Sequence, residues 1–228
     1  MDKTLDIQKL PSDIQAEGVL YFLDGGHFLF KYLKDETWQS KFVTIDDVAA
    51  ALANVENDSG WLGEGILRAG RCAQGEWFVY TEPAQKITIQ VTTSDLAQIT
   101  IPIPATILIG VGHKYFLYAL NGFAKPNAPL YHAPFPNVYG HGRICWGSNR
   151  PPAAHHKHAK TVWNMFFQTP FNTHLAGQKS QAYKGNVMEQ LVKLSNAHAE
   201  EYPLDDMLNT YLSLDDGVKR ILERGWRD

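Results

Sequence analysis

The chain has two cysteines, Cys72 and Cys145, and these are its strongest candidate nucleophiles. Two thiols do not make a disulfide framework. Cysteines of this kind are more often inert core residues, so the surroundings must decide. Cys145 lies in the run Tyr131-His-Ala-Pro-Phe-Pro-Asn-Val-Tyr-Gly-His-Gly-Arg-Ile-Cys-Trp-Gly147. Pro134 and Pro136 fix the backbone there, and Gly140 and Gly142 permit a tight turn. Pro151 and Pro152 follow. A thiol held in such irregular backbone is more easily exposed than one in a core. Arg143, two residues earlier, favours the thiolate. The chemistry on offer is nucleophilic attack by sulfur and a covalent intermediate.

Other residue types compete for attention. His155, His156 and His158 surround Lys157, but zinc needs about four ligands of compatible spacing, and no cysteine pair accompanies them. We expect no metal and no cofactor; a solvated loop or a lining of the active cleft accounts for these histidines. Asn137 reads locally as a turn residue bonding its own loop. A papain-like hydrolase is disfavoured, because its cysteine begins a helix whereas Gly147-Ser148-Asn149-Arg150-Pro151-Pro152 follows Cys145.

The elements that must position this loop can be read around it. Val19–Leu23 and His27–Tyr32 flank Asp24-Gly25-Gly26, a hairpin signal. Thr44 with Asp47 reads as the capped start of a helix over Ile45–Asn54. A glycine-rich loop is expected from Asn57 to Gly75, with a soft boundary near its end. Trp77–Tyr80, Ile87–Val91, Ile99–Ile103, Thr106–Val111 and Tyr115–Leu120 are rich in β-branched and aromatic residues and predict an antiparallel meander. Pro102 and Pro104 imply an edge or a bend. Thr161–Gln168 is apolar nearly all round and predicts a buried helix ended by Pro170. Val187, Met188, Leu191, Val192 and Leu194 have the spacing of a second helix. The last thirty or so residues read as an acidic tail with a short helix around Val218–Leu222. The fold class is α+β.

Composition narrows the function. Apolar residues make up 44% of the 228, so a core can form. No apolar stretch reaches the ~20 residues that span a bilayer, and the N-terminus lacks a signal-peptide pattern. A cytoplasmic protein without a membrane partner is expected. Residues 96–188 contain no Asp or Glu, against eight Lys/Arg and seven of the nine histidines. That span is either neutralised by the acidic flanks or offered to an acidic partner. Its cations are scattered and no nucleic-acid motif appears, so no nucleic-acid partner is expected.

The order Phe135-Pro136-Asn137, glycine-containing loop, Ile144-Cys145 resembles the ubiquitin-conjugating enzymes. In that family a His-Pro-Asn precedes an Ile-Cys, and the active cysteine follows the Asn by the same eight residues. The resemblance runs from about Glu76 to Ala197 and includes the meander before the loop and the helix after it. The Leu-Tyr-His-Ala-Pro-Phe-Pro-Asn-Val run is most similar to a prokaryotic branch, the B proteins of mobile PRTRC cassettes. It implies an accessory region at 1–75, where the hairpin and helix signals lie, and a conjugating-enzyme-like domain at 76–198; composition adds an acidic helical tail at 199–228. It also implies a transferase that takes a ubiquitin-like modifier as a thioester on Cys145 from a ThiF-type activating enzyme, with a JAB-type metallopeptidase in the same system. Asn137 takes the family's oxyanion-supporting role by position. Two departures stand out. Phe135 replaces the family's His, and no carboxylate lies nearby to receive the incoming amine's proton. His141, His155 and His156 are the candidates for that task, with Arg143 as an accessory cation. The alternative is an inactive conjugating-enzyme-like module that binds a modifier or partner without chemistry.

Overall fold

A computed structural model describes residues 18–48, 61–72, 74–92 and 98–224. The chain divides into two compact units, residues 1–60 and 61–228.

In the first unit, β1 (Gly18–Phe22), β2 (Phe28–Lys34) and β3 (Thr37–Val43) form a three-stranded antiparallel sheet in that order. The expected hairpin is present, with a 3₁₀ turn at Asp24–Gly26 between its strands. The third strand was not foreseen. Its turn is made by Asp35 and Glu36, both at positive φ (49° and 61°), so it carries no glycine signal. A helical turn begins at Ile45. Its cap is reciprocal: the Asp47 amide donates to Thr44 Oγ1 at 3.1 Å, and the Thr44 amide donates to Asp47 Oδ2 at 2.9 Å. This is a capping box with Asp doing the work of Glu. The rest of the expected helix, 49–54, lies outside the described residues.

The second unit is built on a six-stranded sheet. Its strands are β4 (Ile66–Cys72), β5 (Gly75–Glu82), β8 (Ala105–Val111), β9 (Lys114–Leu120), β10 (Pro129–His132) and β11 (Asn209–Ser213), in spatial order β11-β10-β9-β8-β5-β4. All its pairings are antiparallel. β6 (Gln85–Gln90) and β7 (Gln98–Ile103) leave the meander between β5 and β8 and pair only with each other. Pro102 sits in that two-stranded ribbon opposite Lys86, and Pro104 marks the bend into β8. Two expectations are corrected here. Part of the presumed glycine-rich loop is β4, paired along β5 from Ile66↔Tyr80 to Cys72↔Gly75. Part of the presumed acidic tail is β11, the edge strand beyond β10.

The two faces of the sheet carry two cores. Tyr115, Leu117 and Ala119 point to one side and Phe116, Tyr118 and Leu120 to the other, as the period of two requires. On the first face lie α1 (Ala159–Gln168), α2 (Val187–Asn196) and the β6–β7 ribbon. α1 buries Ala159, Val162, Trp163, Phe166 and Phe167, a clean i, i+3, i+4 stripe, while Lys160, Thr161 and Gln168 are exposed. It is therefore amphipathic, not buried all round. On the second face, α3 (Leu214–Arg224) lays Leu214, Val218 and Ile221 against Ile107, Ile109, Phe116 and Leu130. α3 is longer than the expected 218–222 helix. It starts at a Ser213 cap, whose Oγ accepts from the Asp216 amide at 3.1 Å.

Candidate active site

The segment from Ala133 to Pro152 packs along the sheet at the end of β9. Phe135 is fully buried, and its ring meets Phe167, Phe166 and Phe171 at centroid separations of 5.2, 6.3 and 6.3 Å. A position that is His in the resembling enzymes is therefore held here by aromatic packing against α1.

Asn137 follows at φ +61°, the left-handed region that Asn tolerates better than most residues. It is only 6% exposed and ties three segments together. Its amide donates to the His174 carbonyl at 3.2 Å, and its Nδ2 donates to the Pro170 carbonyl at 3.2 Å. Its carbonyl accepts from the Cys145 amide at 2.7 Å. Val138 and Ile144 then bridge antiparallel, and the turn between them closes through Tyr139 N–H to Arg143 O and Gly142 N–H to Tyr139 O, both 2.8 Å. Gly142 sits at φ +91°, and a Cβ there would lie 2.3 Å from the Tyr118 ring. Tyr118 Oη donates to the His141 carbonyl at 2.7 Å and pins the turn to β9. The returning strand continues the β9 edge: Leu117 N–H donates to Gly142 O, and Ile144 N–H to Tyr115 O, each at 2.8 Å.

Cys145 emerges from this clamp as a half-buried free thiol in irregular backbone beside the sheet. Beyond it, Trp146 packs edge-on against Tyr115 and Phe166. Asn149 Nδ2 donates to Thr169 Oγ1 at 2.8 Å, and Tyr115 Oη to the Pro152 carbonyl at 2.9 Å. The cysteine is thus held on both sides by loops that are themselves tied to α1 and β9.

The structure brings Asn137, Arg143 and Cys145 together on this loop, with His141 on its turn. The His141 ring stacks on Tyr139 at 5.5 Å. His155 and His156 lie at the 3₁₀ turn leading into α1. They stack on each other at 4.4 Å, and His155 faces Glu76 at 3.6 Å. None of those contacts reaches Asn137 or Cys145. Among the described residues no group of His, Cys, Asp or Glu is arranged to hold a metal ion.

Acidic flanks neutralise part of the carboxylate-free span. Lys160 pairs with Glu82 at 2.6 Å, and Glu82 also accepts from Tyr80 and Gln85. Burial works to raise the Glu82 pKa, but the bonds from Lys160, Tyr80 and Gln85 outweigh it and hold the carboxyl below its ordinary range. Reading the sequence missed the backbone acceptors at Pro170 and His174, which no spacing reveals. It also missed Lys179, 2% exposed, whose Nζ lies 3.4 Å from the Tyr139 carbonyl. Burial pushes its pKa down to about 8.

A family model for prokaryotic E2 family D matches residues 44–210, which covers the whole of this site and the sheet beneath it up to the start of β11. The chain belongs to prokaryotic E2 family D. The match extends the resemblance read from residues 76–197 at both ends, and it makes the protein a conjugating-enzyme-like member of a prokaryotic E2 group. No curated protein and no solved structure matches the chain. Among the described residues of this E2-family chain, no helix is long and apolar enough to cross a membrane.

Proposed function

We propose that this E2-family protein carries a ubiquitin-like modifier as a thioester on Cys145 and passes it to an amine or another acceptor. The observation that supports the reading most is the clamped cysteine itself. A free, half-buried thiol stands in irregular backbone, with its amide fixed on the carbonyl of the Asn eight residues earlier.

The chemistry follows from the residues. The Cys145 thiolate attacks the carbonyl of a thioester on an activating enzyme of ThiF type. The new S–C bond forms, and the donor's sulfur leaves as thiolate. An amine then attacks the Cys145 thioester, and collapse of the tetrahedral intermediate expels the Cys145 thiolate. The oxyanion of that intermediate needs a donor. A carboxamide nitrogen has two hydrogens; Asn137 spends one on Pro170, and the second serves the oxyanion. With no Asp or Glu between residues 96 and 188, the amine's proton goes to His141 on the adjoining turn or to water. The run from Leu130 to Val138 favours membership of the PRTRC B-protein branch, whose cassettes also encode the JAB-type metallopeptidase.

The test uses the full chain with an activating enzyme, ATP and modifier encoded beside it. A thiol-labile adduct is expected, lost in Cys145→Ala and retained in Cys72→Ala. No adduct from a demonstrably charged activating enzyme would leave the chain a binding module, and an adduct on Cys72 would overturn the assignment.

A further inference from the structure

The irregular segment between α1 and α2 grips the active-site loop at three points. The carbonyls of Pro170 and His174 accept from Asn137, and Lys179 donates from Nζ to the Tyr139 carbonyl at 3.4 Å. The third grip differs in kind from the other two. It is made by a side-chain cation, and Lys179 is only 2% exposed. Among the described residues no carboxylate pairs with it. An unpaired buried cation works against folding, which points to a use beyond packing.

The backbone on either side of Lys179 is fixed. Gln178, just before it, sits at φ +57°, a left-handed conformation that costs a residue other than glycine energy. The Gln178 amide donates to the Lys184 carbonyl at 2.7 Å. Ser180, just after, is fully buried and bridges antiparallel to Met207, and its Oγ accepts from the Tyr183 amide at 2.8 Å. The amine therefore reaches the turn from an anchored base. Its acceptor is the carbonyl that closes that turn. Tyr139 O also accepts from the Gly142 amide, and Gly142 O accepts from Leu117 on β9, each at 2.8 Å. Three residues beyond Gly142 stands Cys145.

We propose that Lys179 is a positioning residue for Cys145: its ammonium group holds the Tyr139 carbonyl, and through it the turn that sets where the thiol stands. A charge-assisted bond is stronger than a neutral one and fixes the orientation of its acceptor. Lys179 acts through the turn and not on the reacting atoms. This role rests on the reading of Cys145 as the thioester residue, although the fixing of the turn is measurable without a thioester.

The experiment compares the full chain with Lys179→Met and with Lys184→Met, an exposed lysine of the same segment. Thermal unfolding, amide hydrogen exchange at Gly142 and Cys145, and single-turnover loading from a charged activating enzyme are read on each. In Lys179→Met both amides should exchange faster and loading should slow, each by about tenfold, the worth of one charge-assisted bond. Its Tm should be no lower than wild type, and Lys184→Met should match wild type throughout. Unchanged exchange and loading in Lys179→Met overturn the positioning role alone. Slower loading accompanied by a fallen Tm marks a packing role and overturns it too. A wild-type chain that takes no modifier overturns the thioester reading and, with it, any positioning for that reaction. A second measurement needs no substitution at 179. In Cys145→Ser, which lacks the thiol's own titration, the Tyr139 carbonyl carbon-13 signal should follow the Lys179 amine, which burial pushes down to about 8. His132 on β10, on which Lys179 acts, is held below its ordinary range and titrates apart from it; Tyr139, His141 and Arg143 are the ionisable groups of the turn itself, and each is followed at its own side-chain signal. A Tyr139 carbonyl indifferent to the Lys179 titration overturns the proposal whether or not the variant folds.

Discussion

Restoring the family's histidine at position 135 should damage this protein rather than repair it. Phe135 is fully buried against three phenylalanines from α1 and the segment after it. Emptying such a site, as Phe→Ala does, costs about 3–5 kcal/mol. Imidazole refills much of the space and recovers about half of that, but an unpartnered ring nitrogen adds about 1–3 kcal/mol. The net expectation for Phe135→His is a loss of about 3 kcal/mol, or about 6–12 °C in Tm for a chain of this size. The loss should also grow in acid. A histidine buried among aromatics has its folded pKa depressed below the unfolded value of about 6.5. The unfolded state then binds more protons as pH falls through 6.5, so the deficit relative to wild type widens from pH 8 to pH 5. Thermal unfolding by near-ultraviolet circular dichroism at both pH values measures this. A variant with wild-type Tm at pH 8 and no extra loss at pH 5 would show that the site accommodates a bonded imidazole, and the packing argument would fail.

Four further outcomes are expected. Gly142→Ala must place a Cβ 2.3 Å from the Tyr118 ring at φ +91°, so it should destabilise by more than about 2 kcal/mol and slow thioester formation, read by unfolding and a loading gel. Asn137→Ala should leave loading largely intact while discharge to an amine slows about 10²-fold; equal loss of both, with a fallen Tm, would mean the residue only builds the loop. Glu82→Gln should remove a stabilisation that wild type holds above the ordinary carboxylate pKa and loses as pH falls through the lower folded value, visible as a flatter acid limb in unfolding against pH. Lys179→Met should gain about 2 kcal/mol at pH 7, because wild type folds with an amine pushed down to about 8 and recovers that cost only as pH rises from 8 towards 10.

What the sequence revealed and what it hid follow one physical line. β5, β8 and β9 were legible because β-branched and aromatic residues fill both faces of strands buried on two sides, as in Tyr115–Leu120, while β6 and β7 alternate isoleucine with polar residues. The loop of Cys145 was legible because proline, glycine and asparagine there each meet a local backbone demand, such as Asn137 at φ +61°. The missed strands lacked local signals. β4 contains Gly70 and two arginines, and only its pairing to β5 makes it a strand. β10 has four residues and begins with proline. β11 lies in an acidic stretch, and its bonds go to residues about eighty positions earlier, as Thr210 Oγ1 to the Leu130 carbonyl shows. The contacts of His155 were equally hidden, since Glu76, which it faces, lies about eighty positions earlier.

The helix on the second face of the sheet sets an order of assembly. Val79, Ile107, Ile109 and Phe116 are complete early in synthesis, yet the residues that cover them, Leu214, Val218 and Ile221, are among the last described. The pair Arg68–Asp215 closes a loop of 147 positions at 3.0 Å. Until α3 emerges, a growing chain carries a sheet with one apolar face open to water, the kind of surface that recruits chaperones or self-associates. Shortening the chain before Leu214 would make that transient state permanent, so truncated forms should collect in the insoluble fraction while still holding an intact Cys145 loop.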